Sequence, residues 1–207
     1  MSAVVRRMLV IGAPVALGLI ELWHPQFAEG AEATLLPVAD RWLVIHLLQL
    51  VLFTLLALAV YLTVDGVAGL AASIARIGAI VFAGLYVALD AVAGIATGVL
   101  ARAANDLAPA ERTTVATAID TLFEHPLVGG GSSLLTIVAS AAWLVAVLAA
   151  ALALRQRGAH RVAVVLVALS ALLFPLGHLP PNAQLALGCF AAGVALAEFG
   201  PRVPRPA

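Results

Sequence analysis

Apolar residues fall along this chain in six blocks, each near the length needed to cross a hydrocarbon layer, with polar residues gathered between them. The pattern predicts membrane spans at about 8–24, 41–64, 75–101, 132–154, 162–178 and 183–199. The longest polar interval, Ala103–Ser133, lies between the third and fourth spans. Within it Pro109 is placed to open a helix over about 109–124, with Val115, Ile119 and Leu122 on one side and Glu111, Thr114, Asp120 and Thr121 around the rest. Such a helix would lie on the membrane surface or over the bundle. His125-Pro126 ends it, and Gly129–Gly131 forms a flexible joint. Asp40 is placed to cap the second span. Pro14 and Pro175 mark expected kinks.

The third span organises the reading. Arg76 and Arg102 bracket it, ~39 Å apart along a helix, and Asp90 sits almost midway. A carboxylate at that depth is costly in lipid, so it should face the bundle interior. Tyr86, Asp90 and Thr97 recur at helical spacing as one polar stripe. Gly94 and Gly98 form a small-xxx-small pair that admits a close neighbour, either within the chain or from a second copy as a homo-oligomer contact.

Composition narrows the class. The chain has 207 residues, 63% of them hydrophobic and 11% charged, with a mean hydropathy of +1.10. That is too apolar for a soluble domain, so the expected fold is all-α, a polytopic transmembrane bundle of six helices with one extracellular surface helix. Every basic residue is arginine, and the lack of lysine excludes Schiff-base chemistry. A lone Cys189 excludes an internal disulfide and thiol-rich metal sites. Net charge is zero, with no basic patch for nucleic acid. Ala31-Glu-Ala33 offers a signal-cleavage spacing, but Glu21, Trp23 and His24 just ahead of it favour an uncleaved first span.

Charge placement gives an orientation. With six spans, Arg6, Arg7, Arg76, Arg155, Arg157, Arg161, Arg202 and Arg205 share the side of the termini, while Arg41, Arg102 and Arg112 fall opposite. The positive-inside rule then makes both termini cytoplasmic, in a bacterial-type inner (cell) membrane, with Trp23 and Trp42 at the outer interface.

Counting up each span from these cytoplasmic charges places Glu21 and Asp90 at ~21 Å and His24 and His178 at ~25 Å. His46, Gln49, Ser140 and Gln184 fall within the same ~22–29 Å layer. The opposite half is nearly all Ala, Val, Leu and Ile. That asymmetry predicts a cavity open to the outside and closed below by packing. Three histidines and two carboxylates in one layer point to a metal, zinc or non-haem iron, held by His24, His46 and His178. Asp90 or Glu21 would act as fourth ligand or catalytic base, with Gln49, Tyr86, Ser140 and Trp143 lining the pocket. Glu21-x-x-His24 would present both side chains on one helical face. Haem between His46 and His178 is a weaker alternative. His125 could enter from above, whereas His160 is solvated.

No motif identifies a family of known activity. In kind, the inventory is similar to the seven-helix membrane hydrolases that include the alkaline ceramidases, whose zinc sits in three histidines beside an aspartate and a serine. This chain has six spans and different spacings, so the resemblance carries no residue roles. The leading expectation is a membrane protein binding a metal or small ligand from the outer side, with a metal-dependent hydrolase of a lipid-like substrate as its enzymatic form. The outer loops carry an acidic excess that would draw cations. The alternatives are a proton-coupled or small-solute carrier titrating Asp90 and Glu21, and a non-catalytic membrane subunit or scaffold.

Overall fold

The computed structural model describes residues 2–26, 30–177 and 180–200, and within them every regular element is helical. Seven helices carry the fold: α1 (Ala3–Glu21), α2 (Ala39–Thr63), α3 (Leu70–Ala104), α4 (Pro109–Phe123), α5 (Leu134–Gln156), α6 (Arg161–Leu176) and α7 (Asn182–Phe199). Five helical runs, Ala3–Glu21, Ala31–Thr63, Leu70–Ala104, Leu134–Gln156 and Asn182–Phe199, are long and apolar enough to cross a membrane. The chain is accordingly a membrane protein. The fifth expected span, α6, is a shorter apolar helix rising ~24 Å, less than the ~30 Å hydrocarbon core.

The six apolar helices close a ring in chain order. Each of α1, α2, α3, α5, α6 and α7 packs on its sequence neighbour, and α7 returns to α1. Short turns make adjacent helices antiparallel. At one end Arg6 pairs with Glu198 and donates to the Leu62 carbonyl at 2.9 Å. Beside it Arg76 donates to the carbonyls of Val64 and Val67 at 2.7 and 2.8 Å, tying off the α2–α3 turn. His160 caps α6 by accepting from the Val162 N–H. The outer faces stay apolar, with Leu19, Val51, Ile80, Leu152, Val165 and Leu185 exposed, as expected of helices that are apolar all round.

The interior is graded. Toward the arginine end it is built from small residues, including Ala72, Ala75, Ala79, Ala146, Ala150 and Ala153. This lets α3 and α5 approach so closely that a Cβ on Gly78 would lie 2.9 Å from that of Ala146. Midway, Phe53, Phe82, Tyr86, Trp143, Phe174 and Phe190 form an aromatic plug, with the Trp143 ring tilted against Phe174 at 4.8 Å and Phe82 at 5.1 Å between centroids.

The other end is roofed by α4. Ala116 and Ile119 bury against Ala31, Leu35, Leu36, Ala101 and Ala104 in a second small core. Asp120 accepts from the Ala31 N–H at 2.8 Å. Of the two placements open to this helix, it takes the one over the bundle. Pro109 opens it, directly after the cap residue Ala108. Asp40 does not cap α2; Val38 holds that position, while Asp40 lies in the first turn and pairs with Arg102 at 3.2 Å.

Two helices contain a π-helical stretch, Met8–Gly12 in α1 and Asp90–Ala96 in α3. The first has a local cause: Pro14, two residues past its end, has no N–H to continue the α ladder. The second has no proline and lies where α3 meets α2 around Gly94; π-turns of this kind often occur at functional sites.

Candidate functional site

Between the aromatic plug and the α4 roof is a cavity of about 440 Å³, within the range typical of small-molecule sites. All seven helices, or the segments adjoining them, contribute to its wall. His24 and Pro25 come from the segment after α1, Trp42, His46 and Gln49 from α2, and Tyr86, Asp90 and Gly94 from α3. Phe123 ends α4, Gly129–Gly131 lead into α5, and Leu176, Gly177 and Asn182 bracket the α6–α7 turn.

His46 is the best-defined member. Its Nδ1–H donates to the Trp42 carbonyl at 2.8 Å, one turn back along α2. A carbonyl can only accept, so Nδ1 carries a proton, and the second ring nitrogen is Nε2. That nitrogen faces Asp90 Oδ1 at 4.0 Å, beyond hydrogen-bond range. The ring packs 4.4 Å from Trp42 and 5.0 Å from His24. Across from it is Gly94, where a Cβ would stand 2.0 Å from His46 Cδ2, so only glycine admits the imidazole there. Trp42 completes the α2–α3 junction by donating Nε1–H to the Gly94 carbonyl at 2.8 Å. Thr97 caps the same stretch through the carbonyls of Ala93 and Gly94.

His24 follows the same logic, its Nδ1–H donating to the Pro25 carbonyl at 2.8 Å. Burial holds its protonation below the usual histidine range, against the raising effect of that carbonyl and with a smaller lowering from Arg41. α1 ends at Glu21, so Glu21 and His24 do not share a helical face; this corrects the Glu-x-x-His expectation. Glu21 lies behind the cavity wall, its Oε1 accepting from Gln49 Nε2 at 2.6 Å.

Asp90 is 5% exposed, lines the cavity, and its Oδ2 has no hydrogen-bond partner among the described residues. Glu21 Oε2 is likewise unpartnered among them, but it does not reach the cavity. A buried carboxylate without partners is costly, and Asp90 is the one a ligand could satisfy.

The other singled-out residues divide. Gln49 and Tyr86 line this cavity, Ser140 lines an adjoining one, and Trp143 lies in the plug, donating to the Ser170 carbonyl at 3.4 Å. His178 lies outside the described residues. Among the described residues no three His, Cys, Asp or Glu side chains come together as a metal site, which removes support for the metal-binding expectation. The reason is spatial: His46 Nε2 and Asp90 Oδ1 stand 4.0 Å apart, His24 Nδ1 is tied to the Pro25 carbonyl, and Glu21 is held by Gln49 and does not line the cavity. His125 turns away and accepts from the Leu127 N–H. Gly94 and Gly98 face His46, Trp42 and Leu43 of α2, so the close approach they allow is made by α2.

Sequence reasoning missed several wall residues. Trp42, expected at the outer interface, is 4% exposed and packs on His46; Trp23 is exposed. A tryptophan one turn before a buried histidine was the available signal. Phe123, Phe53 and Asn182 carried none. Compared with known proteins, the chain matches no family, no curated protein and no solved structure.

Proposed function

We propose that this chain is an integral membrane protein of the bacterial cell-membrane type that binds a small ammonium-bearing ligand in the cavity beneath α4, with Asp90 as its anchor. The observation that carries this is the Asp90 carboxylate, buried, lining the cavity, and with its Oδ2 unpartnered among the described residues. An ammonium group would supply both the missing hydrogen bond and the balancing charge. The aromatic faces of Trp42, Phe53 and Tyr86 around the same space favour a cation over an anion.

The proposed topology has six spans and cytoplasmic termini, with the cavity opening outward. It is supported by the arginines at the Arg6–Arg76 end against Arg41, Arg102 and Arg112 at the other. The outer acidic excess, including Glu32, Asp106, Glu111 and Asp120, would concentrate cations at the mouth. A carrier reading would use Asp90 with Glu21, but beyond the aromatic plug the buried described residues are mostly alanine, valine and leucine, with Thr63 and Ser170 but no buried carboxylate or histidine. For that reason binding is the stronger reading.

The test uses the full chain in phosphatidylcholine nanodiscs with butylammonium as probe. The ligand should raise the unfolding temperature in a concentration-dependent way, as mass action requires, and Asp90→Asn should abolish the rise. An unchanged rise in Asp90→Asn, or none in the wild type, overturns the proposal. Metal analysis of the same preparations addresses the zinc and iron expectation: stoichiometric metal lost in His46→Ala would replace the ammonium reading.

A further inference from the structure

The polar cavity has an apolar neighbour. A second space of about 430 Å³ lies between the first turns of α5 and the last turn of α6, lined by Ile137, Ser140, Ala141, Leu144, Phe174 and Pro175. It is bordered by Tyr86, Gly131, Thr136, Leu176 and Gly177, all five of which also border the first cavity, so the two spaces adjoin. Its outer rim is on the flank of the bundle, where Ile137 and Leu176 are 56% and 69% exposed. The flank is the surface that faces hydrocarbon in a membrane protein. α6 contributes to the gap by ending early: its α-helix stops at Leu173 and a single 3₁₀ turn carries Pro175, whose ring cannot continue the ladder.

The polar and apolar halves of this joined space are segregated. Asp90, His46 and His24 lie at one end, and aliphatic and proline side chains form the other, with Ser140 the main polar exception. A wholly polar solute has no use for the second space, and a wholly apolar one would leave Asp90 unsatisfied. We infer that the ligand is a single-chain cationic amphiphile, its ammonium head at Asp90 and its alkyl chain in the α5–α6 groove, entering sideways from the bilayer. One groove takes one chain, which favours a long-chain amine over a two-chain phospholipid. This inference rests on the pocket reading above and adds the ligand's tail and its route.

The experiment uses dodecylamine carrying a terminal diazirine, with the full chain in phosphatidylcholine nanodiscs and cross-links mapped by mass spectrometry. Labels should concentrate on Ile137–Leu144 and Phe174–Leu176. Asp90→Asn should reduce them by roughly tenfold, the loss of one charge-assisted contact of about 1.4 kcal/mol or more, and excess butylammonium should compete them away. Ser140→Trp, which fills the groove, should reduce them similarly while leaving butylammonium stabilisation intact; Ser140→Ala should do neither. If Ser140→Trp does not fold, the wild-type label map decides. Labels spread evenly over the exposed faces of all helices, or equal groove labelling by the matching diazirine dodecanoate, overturn the inference. If butylammonium binding depends on Asp90 but the labels spread, the groove falls and the pocket stands. Groove labelling indifferent to Asp90 overturns the shared ligand.

Discussion

Gly94 is the position at which one added methyl should do the most damage. A Cβ there would meet His46 Cδ2, Cγ and Cβ at 2.0, 2.5 and 2.9 Å, where ordinary contact begins at 3.4 Å. The imidazole would have to retreat by about 1.4 Å, and nothing around it yields cheaply in a packed interior. Trp42 lies on one side at 4.4 Å and His24 on another at 5.0 Å, while Nδ1 is tied to the Trp42 carbonyl. Overpacking of this kind costs about 1–3 kcal/mol, and a lost Nδ1 hydrogen bond adds about 1 kcal/mol. Alanine's helix preference returns up to about 1 kcal/mol. The net expectation for Gly94→Ala is a loss of roughly 1–3 kcal/mol together with weakened butylammonium binding. Gly84→Ala is the control, on the same helix, exposed and with nothing within 4 Å of its Cβ; it should be neutral or slightly stabilising. Thermal unfolding in nanodiscs, followed by tryptophan fluorescence, reads both. Gly94→Ala behaving like Gly84→Ala would refute the close α2–α3 junction and the fixed His46 orientation built on it.

Other outcomes follow from the same contacts. Gln49→Leu removes the hydrogen bond to Glu21 and leaves that carboxyl buried without its 2.6 Å partner, so stability should fall by about 1–3 kcal/mol in thermal melts. Because burial lowers the folded-state protonation of His24, its contribution is full above the ordinary histidine range and is lost as pH falls through that range toward the lowered folded value. The unfolding temperature should therefore drop on acidification below about pH 6.5, and less steeply in His24→Asn; equal slopes would count against a neutral buried His24. Arg6→Ala breaks the half-buried pair with Glu198 and uncaps the Leu62 carbonyl, and should cost about 1–3 kcal/mol with no effect on butylammonium binding, since it lies at the far end of the bundle.

Depth along a helix can be counted from sequence, because each residue adds a fixed rise. That is why His24, His46, Gln49 and Asp90, read as one layer, are found around one cavity. The runs of apolar residues and the arginine brackets likewise specify helices of membrane length, since no other element satisfies its own backbone in lipid. Which way a side chain points around its helix is a different matter, depending on neighbours and on local departures from α geometry. The π stretch at Asp90–Ala96 alters the phase of α3 midway along the stripe that joins Tyr86, Asp90 and Thr97, and Thr97 ends up capping its own helix instead of lining the cavity. Glu21 is at the right height but behind Gln49, and Trp42 turns inward where an interfacial ring was expected. Residues from loops, such as Phe123 and the Gly129–Gly131 joint, reach the wall only because α4 docks on the end of the bundle. Helical length, apolarity and the depth of polar groups are one-dimensional properties, readable from residue order alone. Which of those groups share a space is not, because it depends on contacts between segments far apart in the chain.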